Sequence, residues 1–127
     1  MAPLDPPGGT RGLTINVERI GDAAVVTLEG ACTMEVSTQI QHCLVGLATE
    51  KVPAIIVDMT RLDFIDSTGL GGFVAAHLRG RHHGCTIRIV NPQPSIEEIL
   101  RLTRLAQLFS IHRDLPEALA AAAKRSD

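Results

Sequence analysis

The sequence predicts an α/β domain: a mostly parallel sheet of about four to five strands with an antiparallel N-terminal edge strand, flanked by about four helices. Three observations carry that prediction. Segments of alternating or continuous apolar character take turns along the chain with segments whose apolar residues recur three and four apart, the signatures of strand and helix. The most continuous apolar run, Ala54-Ile55-Ile56-Val57, stands mid-sequence and reads as a strand covered on both faces. The first two strand-like segments are separated only by Gly21-Asp22, which is hairpin chemistry and pairs them antiparallel.

Taken in order, Thr14 to Arg19 and Ala23 to Leu28 are strands, the second carrying Ala23-Ala24-Val25-Val26. From Thr33 the period becomes helical. Val36, Ile40, Cys43, Leu44 and Leu47 share a face, Glu35, Gln39 and Gln41 lie off it, and Thr33 supplies a hydroxyl suited to the N-cap. Val52-Pro53 closes that connection. Ala54 to Met59 follows as the central strand with Asp58 near its end, and Asp58 to Thr68 is expected as the loop beyond it. A helix is predicted from about Ser67 to His82, with Leu70, Phe73, Val74 and Leu78 on one face and Gly84 as its C-cap glycine. Cys85 to Val90 alternates Cys85, Ile87 and Ile89 against Thr86 and Arg88, a further strand. Pro92-Gln93-Pro94-Ser95 introduces a helix bearing Ile96, Ile99, Leu100 and Leu102, with Glu97 and Glu98 in its first turn. Leu108 to Ile111 is a short strand, and Asp114-Leu115-Pro116-Glu117 has the capping-box spacing that opens a terminal Ala-rich helix. Met1 to Gly12, with Pro3, Pro6, Pro7, Gly8 and Gly9, offers little apolar surface to offset ordering. It is expected as a disordered tail, leaving 13–127 as the domain.

Composition excludes several functions. A chain of 127 residues can bury a core without disulfides or metals. A net charge of -2 with no basic stripe does not suit a nucleic-acid backbone, and the lack of Trp and Tyr removes stacking platforms for single strands. Cys32, Cys43 and Cys85 are odd in number and lie in or beside apolar-periodic segments, which argues for a reducing cytoplasm. No apolar stretch approaches the roughly 18 to 20 residues that span a bilayer, so no direct membrane insertion is expected. His77, His82, His83 and Cys85 cluster without zinc-type spacing. His77 shares the apolar side of its helix, and His82 and His83 suit a helix end; neither metal nor cofactor is expected.

The informative segment is Leu62-Asp63-Phe64-Ile65-Asp66-Ser67-Thr68-Gly69-Leu70-Gly71-Gly72. It places Ser67 where strand period gives way to helix period, next to orphan N–H groups and the positive end of a helix dipole, a setting hospitable to added negative charge. Two arrangements are open: Asp66 caps the helix and leaves the Ser67 hydroxyl exposed, or Ser67 is itself the cap. Gly69, Gly71 and Gly72 fit neither phosphate-cradling glycine motif and read as close packing. Asp66-Ser67-Thr68-Gly69 differs from the aspartic-protease triplet by an extra residue and has no second copy to supply a paired carboxylate. No acid/base pair or nucleophile–base pair emerges, so catalysis is not expected.

The order of elements, with Ile56-Val57-Asp58 through Asp66-Ser67-Thr68-Gly69-Leu70-Gly71, resembles the STAS family and within it the bacterial anti-sigma factor antagonists, from about Leu13 to the C-terminus. The resemblance implies a small non-enzymatic protein that binds an anti-sigma factor, itself a Ser/Thr kinase with a GHKL-type ATP site, and so frees a sigma factor for transcription. It implies that this kinase ends the complex by phosphorylating the Ser after the motif Asp, which falls on Ser67, with Thr68 the lesser acceptor, and that a PP2C-type phosphatase reverses the step. The partner-binding residues it implies are Thr33, Asp58, Asp63, Asp66, Ser67, Thr68, Gly69, Leu70 and Gly71. One departure stands out. Where the family reads Gly-Glu-Leu-Asp or Gly-Glu-Ile-Asp after the second strand, this chain reads Gly30-Ala31-Cys32-Thr33, without the acidic pair. That departure supports an alternative: a STAS scaffold or regulatory subunit of a transporter or stress-signalling complex, in which the Ser is never modified.

Overall fold

Gly21 takes a φ of 59°, the left-handed conformation that the Gly-Asp pair provides at a tight turn. It folds β1 (Leu13–Ile20) back onto β2 (Ala23–Cys32) in antiparallel register, from Ile20 opposite Ala23 to Leu13 opposite Gly30. The computed structural model describes residues 12–124, so the expected N-terminal tail lies outside the described residues apart from Gly12. Beyond β2 every neighbour is parallel. β3 (Ala54–Ile65), β4 (Thr86–Val90) and β5 (Ser110–His112) complete a five-stranded sheet in the order β1-β2-β3-β4-β5.

The crossovers carry α1 (Ser37–Thr49), α2 (Ser67–Arg81) and α3 (Pro94–Leu102). Each steps the same way along the sheet, and right-handed connections then bring all three onto one face. There Ile40, Leu44, Phe73 and Leu100 pack with Val26, Ile55, Val57 and Ile89. α4 (Leu115–Ala123) covers the opposite face, setting Ala118 among Val25, Ile56 and Val90. Two covered faces explain why Ala54 to Val57 is apolar throughout: Ile55 and Val57 meet one helical layer, Ala54 and Ile56 the other. α4 opens as its spacing predicts, with Asp114 accepting from Glu117 N at 2.9 Å and the Glu117 carboxylate accepting from Arg113 N at 2.9 Å.

Five expectations need correction. β2 continues to Cys32, beyond Leu28, because Ala31 and Cys32 are buried opposite Phe64 and Ile65 of β3. The chain must then turn before α1 can start, so Thr33 is not its N-cap. The Thr33 carbonyl accepts from Val36 N at 3.0 Å, and Val36 occupies the cap position without a side-chain bond. Asp58 to Ile65 is strand and not loop. From Thr27 to Glu29 β2 advances two residues while β3 advances three, Asp58 to Arg61, and a second slip follows between Gly30 and Ala31. These bulges space the buried Met59, Leu62 and Ile65 three apart, which conceals the strand from a search for period two. In α2 the buried face is Gly69, Gly72, Phe73, Ala76 and Gly80, while Leu78 is exposed; small residues let α2 lie close to Ser37, Ile40 and Gln41 of α1. Finally, β5 begins at Ser110, after a 3-10 turn at Leu105–Gln107, and Leu108 is exposed.

Candidate functional site

Asp66 follows β3 directly and caps α2 in extended backbone, with φ -105° and ψ -178°. One carboxylate oxygen accepts from Gly69 N at 2.9 Å, the N-cap bond that the start of a helix calls for. The other accepts from Met34 N at 2.9 Å, in the turn after β2. Asp66 N itself donates to the Cys32 carbonyl at 3.1 Å. A single aspartate thus ties the end of β2, the end of β3 and the start of α2 together, and it settles which residue is the cap.

Ser67 is accordingly the first residue of α2. It is exposed, and its hydroxyl has no hydrogen-bond partner among the described residues. Thr68 is exposed beside it, Leu70 is half-buried and Gly71 exposed. Gly69 is needed for close approach: a Cβ there would stand 2.8 Å from Cys32 Sγ and 3.0 Å from the Cys32 carbonyl oxygen. At Gly71 nothing lies within 4 Å, and at Gly72 a Cβ would meet only ordinary contacts at 3.6 Å, so the packing argument holds strictly for Gly69. Burial, reinforced by the negative charge of Asp66, pushes the Cys32 thiol up to about 11. The thiol is therefore protonated near neutrality and acts as packing under the helix start.

Two apolar side chains that sequence reasoning passed over flank this end of α2. Met34, whose N–H is held by Asp66, is 63% exposed, and Phe64, opposite Ala31 in the β2–β3 register, is 48% exposed. Both are apolar surface that a partner docked at the helix start would cover. The signal available beforehand was the placing of Phe64 between Asp63 and Ile65, legible only once the segment is known to be strand.

The remaining candidates divide. Asp63 is exposed on β3 and Thr33 is half-buried in the turn. Asp58 belongs elsewhere: its carboxylate accepts from Thr60 N at 3.0 Å and Thr60 Oγ1 at 2.6 Å, stabilising the first bulge, and Asn91 and Gln93 donate to Thr60 from the loop after β4. Seven residues of strand at about 3.3 Å each put Asp58 roughly 20 Å from the start of α2. No helix is long and apolar enough to cross a membrane, and no group of three His, Cys, Asp or Glu residues could hold a metal, both among the described residues.

An anti-sigma factor antagonist from Mycobacterium paratuberculosis has a similar structure, with a TM-score of 0.79 at 23% identity over 95% of this chain and all (100%) of that one. SpoIIAA of Bacillus, an anti-sigma factor antagonist with structures in unphosphorylated and phosphorylated forms, scores 0.68 in the unphosphorylated form at 21% identity over 90% of this chain and 100% of its own. A sulfate transporter family protein from Wolinella succinogenes scores 0.71 at 16% identity over 82% of this chain and 87% of that one. At such identities the likeness speaks for the fold. The sequence profile of the STAS domain matches residues 14–118, from the second residue of β1 into α4, and the chain belongs to the STAS domain family.

Proposed function

We propose that this protein is an anti-sigma factor antagonist that binds an anti-sigma factor kinase of GHKL type through the surface at the amino end of α2, and that phosphorylation of Ser67 ends the complex. The observation that carries the reading is the exposed, unbonded Ser67 hydroxyl in the first turn of a helix whose cap is already supplied by Asp66. A kinase can use that hydroxyl without breaking a structural bond. Phosphate adds about -1.5 to -2 charges at neutral pH. The helix amino terminus tolerates added negative charge, so the fold persists. A partner seated over Met34, Phe64 and Thr68 must instead desolvate that charge beside Asp63 and Asp66. A loss of about 3 kcal/mol would weaken binding roughly 150-fold, enough for a switch. A PP2C-type phosphatase resets it, and the chain itself catalyses nothing.

The test is intact mass and phosphopeptide mapping after incubation with ATP and each GHKL-type anti-sigma kinase of the same genome, with binding measured for Ser67→Ala and Ser67→Glu. One phosphate on Ser67 and tight binding by the Ala variant alone support the reading. Equal binding by both variants sinks it. A second reading, a STAS scaffold or regulatory subunit of a transporter or stress-signalling complex, draws support from Ala31 and Thr33 standing where the family carries acidic residues and from the likeness to the Wolinella protein. It expects stable assembly without any modification of Ser67.

A further inference from the structure

Three side chains from three elements meet on the face of the sheet that α4 covers. Side chains alternate along a strand, so Arg88 and Val90 of β4 point towards α4, and His112 of β5, opposite Val90, points with them. Arg88 Nη1 lies 3.2 Å from His112 Nε2, and His112 Nδ1 lies 3.4 Å from Glu117 Oε1 in the first turn of α4. The His112 side chain is 13% exposed, which leaves water little room to stand in for either neighbour. A guanidinium offers N–H donors and no acceptor, so Nε2 accepts and the ring proton sits on Nδ1, towards the Glu117 carboxylate. The contacts thus select one neutral tautomer.

A second proton has one place to go. On Nε2 it would face the Arg88 guanidinium at 3.2 Å. The charges around the ring belong to different elements. β4 supplies Arg88, and α4 supplies Glu117, whose carboxylate also accepts from Arg113 N at 2.9 Å. Asp114, at the start of α4, accepts from Glu117 N at 2.9 Å. Glu97 of α3 lines a cleft at the strand ends together with His112 and Arg113, and pairs with Arg101 at 3.2 Å. On β3, Asp58 lies in the same row as Val90 and His112, two strands away at about 10 Å, and is engaged by Thr60. Protonation of the ring therefore acts in opposite senses on two seams. It repels across β4–β5 and strengthens the attraction between β5 and α4.

The elements beyond the first seam have few other attachments. β5 is three residues long and stands at the edge of the sheet. α4 buries Ala118 fully and Leu115, Leu119 and Ala122 in part. Under its far end, Leu119 and Ala122 border a cavity of about 240 Å³ facing the β1–β2 turn and Pro53. Units with little buried apolar surface are the ones that open locally.

We propose that His112 is a proton-sensitive latch: protonation breaks its contact with Arg88 and lets β5 and α4 leave the sheet as one unit, uncovering Val25, Ile56 and Val90. The device lies on the face opposite α1, α2 and α3 and stands independently of the reading of Ser67.

The test is NMR of the isotope-labelled full chain. At neutral pH the ring nitrogens of His112 should report a protonated Nδ1 and a bare Nε2. Between about pH 7.5 and about pH 5, the hydrogen-exchange protection of the amides of β5 and α4, corrected for intrinsic exchange, should fall at least about tenfold, while that of α1 holds within about threefold. In His112→Gln, which cannot titrate, and in Arg88→Gln, which removes the opposing charge, the fall should shrink to under about twofold. A protonated Nε2 at neutral pH would overturn the proposal, and the wild-type chain alone decides that point. So would protection in β5 and α4 that ignores pH, a fall shared equally by α1, or a fall that persists in His112→Gln.

Discussion

At the amino end of α2 the principal cap group has its partners before any ligand arrives, whereas at the carboxyl end some polar groups still lack them. Asp66 spends both carboxylate oxygens on backbone N–H groups, leaving an exposed hydroxyl on Ser67 and exposed apolar groups at Met34 and Phe64. Near the other end, Thr86 Oγ1 has no bond among the described residues, and Arg81 and His77 face a concavity without a carboxylate. The difference teaches what each can do. A capped, exposed helix start suits recognition by another protein and a covalent change of charge. The recessed cleft at the uncovered edge of β4 offers no such accessible group. The helix dipole sharpens the contrast, since it welcomes negative charge at Ser67 and positive charge at Arg79 and Arg81.

The comparison can be broken most severely at Asp66. Asp66→Ala strands the N–H groups of Gly69 and Met34, and urea denaturation should show a loss of about 2–3 kcal/mol, the sum of an N-cap and a second charge-assisted bond. Gly69→Ala comes next, at about 1–3 kcal/mol from overpacking against Cys32. Part of that loss should return in the double variant with Cys32→Ala, because Sγ is the nearest atom to the added Cβ while the Cys32 carbonyl remains. Additive losses in that cycle would refute the contact. Smaller and opposite in sign are two charge changes on α2: Ser67→Glu should stabilise by about 0.3–1 kcal/mol and Arg79→Glu should destabilise by a similar amount, both fading at high salt. Thermal melts at low and high ionic strength would read them.

The remaining effects are confined to the two ends of the pH range. The Cys32 thiol titrates at about 11 when folded against an ordinary 9.0, so the unfolded chain loses its proton first and stability should fall as pH rises from 9 towards 11. Cys32→Ala should remove that part of the slope. His77 runs the other way. Its pKa is lowered on folding from an ordinary 6.5, so the unfolded ring gains a proton first and stability should decline as pH drops below that value. His77→Gln should flatten this acid limb, and denaturant midpoints across the two pH ranges would check both.

Periodicity alone determined the order of elements, the antiparallel hairpin at Gly21-Asp22, the doubly covered strand at Ala54 to Val57 and the capping spacing at Asp114. Each is a local matter: turn chemistry, a cap, or apolar residues repeating on a regular element. The placing of Ser67 at a helix start was legible for the same reason. Tertiary structure decided the rest. β3 runs on to Ile65 because bulges against β2 shift its buried positions from every second residue to every third, and no period within one segment can report a register with another. Asp66, not Ser67, is the cap because its second carboxylate oxygen also accepts from Met34 N across the turn after β2, which holds the carboxylate at the helix start. The cleft at Thr86 exists only because β5 is shorter than β4, a difference in strand lengths between distant segments that leaves no mark in the sequence of either.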